Sequence, residues 1–244
     1  MDGFEAETYG ERIAEVYDEL HEGRFDVEAT VDRLVELAGG GPALELAIGT
    51  GRVALPLAAR GIRVDGIDIS SAMVAKLRAK PGGDRIHVTM GDFADVGVEG
   101  RYPLIYIPFN TLFALLTQAD QLRCFANVAE HLTDDGVFVV DAFVPDLCLY
   151  SHHQRVSNHG LGAGRVFLDN SYLDPATQRV DSVKVMITET GVRLFPVSLR
   201  YAWPAELDLM ARLAGLRLRE RWGGWHKERF GPDSGGHVSV YARP

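Results

Sequence analysis

The chain has 244 residues, 46% of them hydrophobic, and 34 acidic residues against 25 basic ones give a formal net charge of −9. The apolar share is enough to close a full core and sets aside a disordered chain. The acidic balance repels a phosphate backbone, so nucleic acid is set aside as a partner.

Cys124 and Cys148 provide neither a disulfide framework nor a CxxC metal or redox pair, which fits a cytoplasmic protein without a structural metal. The opening MDGFEAETYG has neither a basic end nor an apolar run. No stretch reaches the roughly 18 apolar residues of a membrane span, so no membrane association is expected.

In ERIAEVYDEL, Ile13, Val16, Tyr17 and Leu20 recur at helical spacing, and after Gly23 so do Val27, Val31, Leu34 and Val35. Two amphipathic helices are predicted, closed by Gly39-Gly40-Gly41. Ala43 to Ile48 reads as a buried strand with an acid, Glu45, inside it. After Gly49-Thr50-Gly51 a helix is expected from Arg52 to Arg60, with a kink at Pro56, and then a strand in IRVDGIDI. Ser70 and Ser71 cap a helix carrying Met73, Val74 and Leu77. RIHVTMGDF, YPLIYIPFN and GVFVVDAF supply three more strands, with a helix through Leu122, Phe125, Ala129 and Leu132 before the last. Strands alternating with helices predict a parallel sheet covered on both faces.

Beyond Pro145 the pattern changes. GRVFLDNSYL, RVDSVKVMITE and GVRLFPVSLRY read as strands of an antiparallel insert, with the stretch from Ser151 to Gly164 as a loop before it. PAELDLMARLAGL returns to helical spacing, and RLRERW and HVSVYAR finish the chain as strands. The expected division is 1–40, an N-terminal helical cap; 41–146, a cofactor-binding core; 147–201, a β insert roofing the acceptor; and 202–244, the completion of the core. The basic run Arg217, Arg219, Arg221, Lys227 and Arg229 is expected as the solvated face of an edge strand.

Gly49-Thr50-Gly51-Arg52-Val53-Ala54 satisfies GxGxxA, with Asp68 near the distance of a ribose-binding acid. Glycines let a backbone approach a ligand closely, and the free N–H groups of the following helix favour an anionic group. Glu45, four residues ahead of Gly49, would repel a pyrophosphate and accept a hydrogen bond from an ammonium. Asp92, in GDF, is placed to accept from an adenine amino group, with the Phe93 N–H facing the ring.

With these three motifs in order, LELAIGTGR, VDGIDIS and MGDFAD, the chain resembles class I S-adenosylmethionine-dependent methyltransferases. The layout is most similar to small-molecule members such as aminosugar N,N-dimethyltransferases and glycine N-methyltransferases. The resemblance implies a Rossmann-like α/β fold with a mostly parallel seven-stranded sheet, an antiparallel last strand and a β insert after the fifth. It implies S-adenosyl-L-methionine as cofactor, with Glu45, Gly49 and Gly51 framing the methionyl moiety and Tyr17 reaching its carboxylate. Ile69 and Met73 would pack on adenine, with Asp68 on the ribose and Asp92 near the base. Asn110 follows the fourth strand, where the family places backbone around the transferred methyl. Ala47, Arg52, Gly91, Phe93 and Pro108 complete the expected cofactor set.

YIPFN lacks the NPPY motif of enzymes acting on base or amide nitrogen, and no acidic cluster marks a magnesium site. The expected reaction is N- or O-methylation of a small molecule, as in natural-product or aminosugar tailoring, by an enzyme carried as a homodimer. Asp141, His152 and His153 are the candidates for catalysis, with His159 completing the histidine group. Two rivals stand beside it: a protein of this fold that binds the cofactor without methyl transfer, and a nicotinamide dehydrogenase, which Glu45 and Ala47 disfavour.

Overall fold

A computed structural model describes residues 6–23, 25–162 and 164–244. Helices α1 (Ala6–Ile13) and α2 (Tyr17–His21) replace the single helix expected from the apolar spacing, because the chain tightens between them, where the Val16 N–H donates to the Ile13 carbonyl. Helix α3 (Val27–Ala38) starts where the Asp26 carboxylate accepts the Ala29 N–H at 2.9 Å, and ends at Gly39 in the left-handed conformation.

The alternating segment follows as β1 (Ala43–Leu46), α4 (Ala54–Ala59), β2 (Val64–Asp68), α5 (Ser71–Arg78), β3 (His87–Met90), β4 (Tyr102–Ile107), α6 (Gln118–His131) and β5 (Leu132–Phe143). Every residue of β1 is buried, Glu45 included. Pro56 falls in the first turn of α4, where the missing N–H has no partner to lose, so the reason for expecting a kink disappears.

Four antiparallel strands come next: β6 (Gln154–Gly162), β7 (Arg165–Asp174), β8 (Arg179–Thr188) and β9 (Gly191–Arg200). The polar stretch expected as a loop supplies β6, ordered by its ladder with β7 rather than by strand propensity. Helix α7 (Pro204–Leu213), β10 (Arg217–Trp222) and β11 (Gly236–Ala242) finish the chain.

The main sheet runs β10-β11-β5-β4-β1-β2-β3, with β11 antiparallel to both neighbours and β1 to β5 parallel. One apolar cluster on Phe113, Phe125, Phe138 and Tyr241 fills one face, and a second on Leu34, Leu57, Leu104 and Trp222 fills the other. Strand order reverses at β1, so the carboxyl ends of β1, β2 and β4 open the crevice where a ligand enters.

The second sheet turns one face to that crevice. Its inner face buries Phe167, Met186 and Phe195, while Val156, Tyr172, Val192 and Leu194 are exposed on the other. Among the described residues no helix is long and apolar enough to cross a membrane.

Candidate active site

The turn after β1 is tightly wound. Ala47, Gly49 and Gly51 all hold positive φ, of 54°, 57° and 74°, and the alanine bears a strain that glycine would escape. The Gly49 N–H donates to Asp68 Oδ2 at 2.7 Å and the Ser70 N–H to Asp68 Oδ1 at 2.8 Å. Burial raises the Asp68 carboxyl above its ordinary value, against these backbone donors. Each oxygen keeps a second lone pair for a ligand hydroxyl.

Glu45 is 3% exposed, and its Oε2 accepts the Tyr106 hydroxyl at 2.8 Å. Loss of hydration pushes its carboxyl up to about 8, while the Tyr106 hydroxyl and the Arg52 guanidinium pull it down. The Arg52 guanidinium lies 4.5 Å from the Phe25 ring centroid and 4.2 Å from that of Phe109, and its Nη2 donates to the Tyr17 hydroxyl at 3.3 Å. Among the described residues its buried Nη1 has no hydrogen-bond partner. Tyr17, half-buried beside it, is pushed up to about 12, mainly by lost hydration.

These groups line one wall of a cavity of about 530 Å³, within the range that encloses a nucleoside-sized ligand. Tyr17, Glu45, Ala47, Gly49, Arg52 and Asp68 share the cavity with Ile69, Met73, Asp92, Phe93, Pro108 and Asn110; Gly51 and Gly91 lie outside its lining. Gly51 shapes the turn from behind, where a Cβ would meet Leu77 at 3.0 Å. The opposite wall comes from β7, β8 and β9, through Asp169, Ser182, Lys184, Val197 and Leu199. A second hollow of about 170 Å³, beside the start of α3, is too small for such a ligand.

A methyltransferase-domain family profile matches residues 43–136. The CcbJ methyltransferase of Streptomyces caelestis superposes with a TM-score of 0.93 at 39% identity, over 98% of this chain and 99% of that one. The chain belongs to the class I S-adenosylmethionine-dependent methyltransferases. Among curated relatives, the cypemycin N-terminal methyltransferase of a Streptomyces species is 27% identical over 73% of this chain and 74% of its own. The dTDP-3-amino-3,6-dideoxy-alpha-D-glucopyranose N,N-dimethyltransferase of Streptomyces fradiae is 31% identical over 54% of this chain and 54% of its own.

In this methyltransferase the candidate catalytic residues do not gather at the cavity. His152 and His153 sit in an exposed turn with φ of 48° and 67°, and His153 Nδ1 lies 3.1 Å from the Leu173 carbonyl. The His159 side chain lies outside those described. Asp141 is committed to structure. Its Oδ2 accepts the Phe109 N–H and the Trp225 indole N–H, both at 3.1 Å, and burial raises its carboxyl against them.

Asn110 is committed similarly, its Oδ1 accepting the Phe143 N–H at 2.6 Å while Phe109 and Asn110 both hold positive φ. The residues missed are Phe25 and Phe109, which flank Arg52, and Asp169, Ser182 and Lys184. The one available signal for the last three was a polar run at inward positions, Asp169 and Ser171 on one strand and Ser182 and Lys184 on the next, between the apolar Phe167, Leu173, Val180 and Met186.

Proposed function

We propose that the enzyme methylates nitrogen or oxygen of a small natural-product or aminosugar-like acceptor held between the two sheets. The carrying observation is a single cavity with two chemically distinct walls. One bears the family's cofactor motifs, and the other is polar and built from the four-stranded sheet. Bound S-adenosylmethionine supplies a methyl already activated on a sulfonium, so the chain's task is to align and to exclude water.

Glu45 accepts the methionyl ammonium, and the unpartnered Arg52 Nη1 donates to the carboxylate. Asp68 takes the ribose hydroxyls from a carboxylate already aimed by Gly49 and Ser70. Asp92 faces the adenine amino group, and Ile69 and Met73 flank the base. The set thus offers a carboxylate for the ammonium, a guanidinium for the carboxylate, and acceptors for the ribose hydroxyls and the adenine amino group.

The division at residues 40, 146 and 201 is kept as a functional one, with helices α1 and α2 capping the cofactor. The homodimer is kept as well, for measurement by light scattering. The test of the cofactor reading is calorimetric titration with S-adenosylhomocysteine, NADH in parallel. Saturable binding that weakens at least tenfold in Asp68→Ala supports it, and NADH binding in its place overturns it. Product masses from an acceptor panel separate transfer from mere binding.

A further inference from the structure

The inner face of the second sheet carries more polar chemistry than a cavity wall needs for packing. In the β7–β8 ladder Asp169 stands opposite Lys184, and Ser171 opposite Ser182. The Ser182 hydroxyl donates to Ser171 Oγ at 2.9 Å, and the Ser171 hydroxyl donates to Asp169 Oδ1 at 2.6 Å. Both serines are buried, so this chain of hydroxyls fixes the carboxylate against the sheet. Lys184 Nζ lies 3.5 Å from the Tyr9 hydroxyl and 5.6 Å from its ring centroid. Asp169, Ser182 and Lys184 face the cavity from the wall that holds no cofactor motif.

We propose that Asp169, aimed by Ser171 and Ser182, receives the acceptor's nucleophilic nitrogen, which makes the acceptor a primary or secondary amine. This rests on reading the cavity as the place of methyl transfer. A neutral amine must present its lone pair to the methyl and needs an acceptor for an N–H on its other side, which a carboxylate provides and an ammonium cannot. As nitrogen forms its bond to carbon, the carbon–sulfur bond breaks with its electron pair on sulfur, and positive charge passes to nitrogen. The surplus proton on nitrogen then leaves to the Asp169 carboxylate.

A fixed negative group at that spot favours the charge where it develops. Lys184, across the ladder, offers only N–H donors and disfavours positive charge developing on its own side of the wall, so the amine N–H is left to Asp169. A phenolate or carboxylate acceptor would meet the opposite, its negative charge lying against Asp169.

The test uses the full-length enzyme with a panel of amino-hexoses, cyclic secondary amines, phenols, carboxylic acids and tyramine, which offers an amine and a phenol in one molecule. Wild type, Asp169→Asn and Ser171→Ala are compared by product mass, acceptor KM and kcat, and by S-adenosylhomocysteine calorimetry. Expected are N-methyl products, on tyramine too, with acceptor KM raised at least tenfold in Asp169→Asn and several-fold in Ser171→Ala. Binding of a turned-over amine to the S-adenosylhomocysteine complex should weaken in parallel.

S-adenosylhomocysteine affinity should stay within twofold of wild type in both variants. Methylation on oxygen alone, turnover of no amine, or an amine KM indifferent to Asp169→Asn overturns the proposal. A fall in S-adenosylhomocysteine affinity in Asp169→Asn overturns it too, by moving the residue to the cofactor wall. Saturable S-adenosylhomocysteine binding by wild type keeps the methyltransferase reading intact whichever way Asp169 falls.

Discussion

At neutral pH Glu45 enters the binding equilibrium carrying a proton, since burial holds its carboxyl near 8. Receiving an ammonium requires the ionised form, so a proton leaves as the cofactor binds. Affinity for S-adenosylhomocysteine should therefore rise by up to about tenfold per pH unit between pH 6 and 8. Glu45→Gln should bind more weakly and flatten that slope, and calorimetry in buffers of different ionisation heat would reveal the released proton.

The stability of the free enzyme runs the other way. A carboxyl raised in the folded state contributes stability that is complete below its unfolded value and lost as pH climbs through about 8. Denaturant melts should show that decline, and Glu45→Gln should lessen it. For Arg52, substitution by Lys keeps the charge but loses the planar stack between Phe25 and Phe109. S-adenosylhomocysteine affinity should fall by about 10–100-fold, whereas 5′-methylthioadenosine, which has no carboxylate, should lose less than about threefold. Glu45 was legible because an acid in an apolar strand demands a partner. The setting of Arg52 was not, because its two aromatic neighbours lie far apart in sequence and meet only in the fold.

Among the elements, α1 is seated on the second sheet by the buried Ile13, beside Phe167, Met186 and Phe195, and on α5 by one carboxylate. Glu11 Oε1 accepts from Ser70 Oγ at 2.9 Å, from Ser71 Oγ at 3.3 Å and from the Ala72 N–H at 3.1 Å, at the start of α5. These donors hold the Glu11 carboxyl below its ordinary value, the Ala72 N–H most of all. Gly10 lets the helix come this close, because a Cβ there would stand 2.7 Å from Ser70 Cβ.

Gly10→Val should thus speed hydrogen exchange in α1 and raise the cofactor off-rate while melting temperature changes little, and stopped-flow with hydrogen exchange would measure both. Amphipathic spacing announced helices before β1, but neither the break between α1 and α2 nor this contact was written in periodicity. Strand β6 was missed for a related reason, its order being conferred by a neighbour. On β10, Arg221 leaves the expected solvated row to join Asp208 and Tyr241, a tertiary pairing that no local pattern signals.

Across the molecule the two sheets are tied by Arg200, only 6% exposed. It donates to Gln121 Oε1 at 2.7 Å, Gln178 Oε1 at 3.1 Å and Glu206 Oε1 at 2.7 Å. Arg200→Met leaves Glu206 and Gln121 short of donors in a largely dry place. A cost of about 3 kcal/mol is expected, read as a shift in the urea midpoint.

Ligand should act on the whole fold. S-adenosylhomocysteine at a hundredfold excess over Kd stabilises by about 2.7 kcal/mol, which at roughly 2–4 °C per kcal/mol for a chain of this size raises Tm by roughly 5–10 °C. The order of elements and the cofactor wall were readable in advance because strand ends and glycine turns are local. The insert was expected over the acceptor, but the residues it turns to the cavity were not, since Asp169 and Lys184 become neighbours only through β-ladder register.

The indole of Trp225 holds Asp141, Asp141 holds Phe109, and Phe109 is the platform for Arg52. A ribosome therefore finishes β1 and its turn long before Arg52 can be seated. A nascent chain that ends short of Trp225 carries every motif by which the enzyme is recognised and still lacks the support that holds Arg52 in the cavity wall.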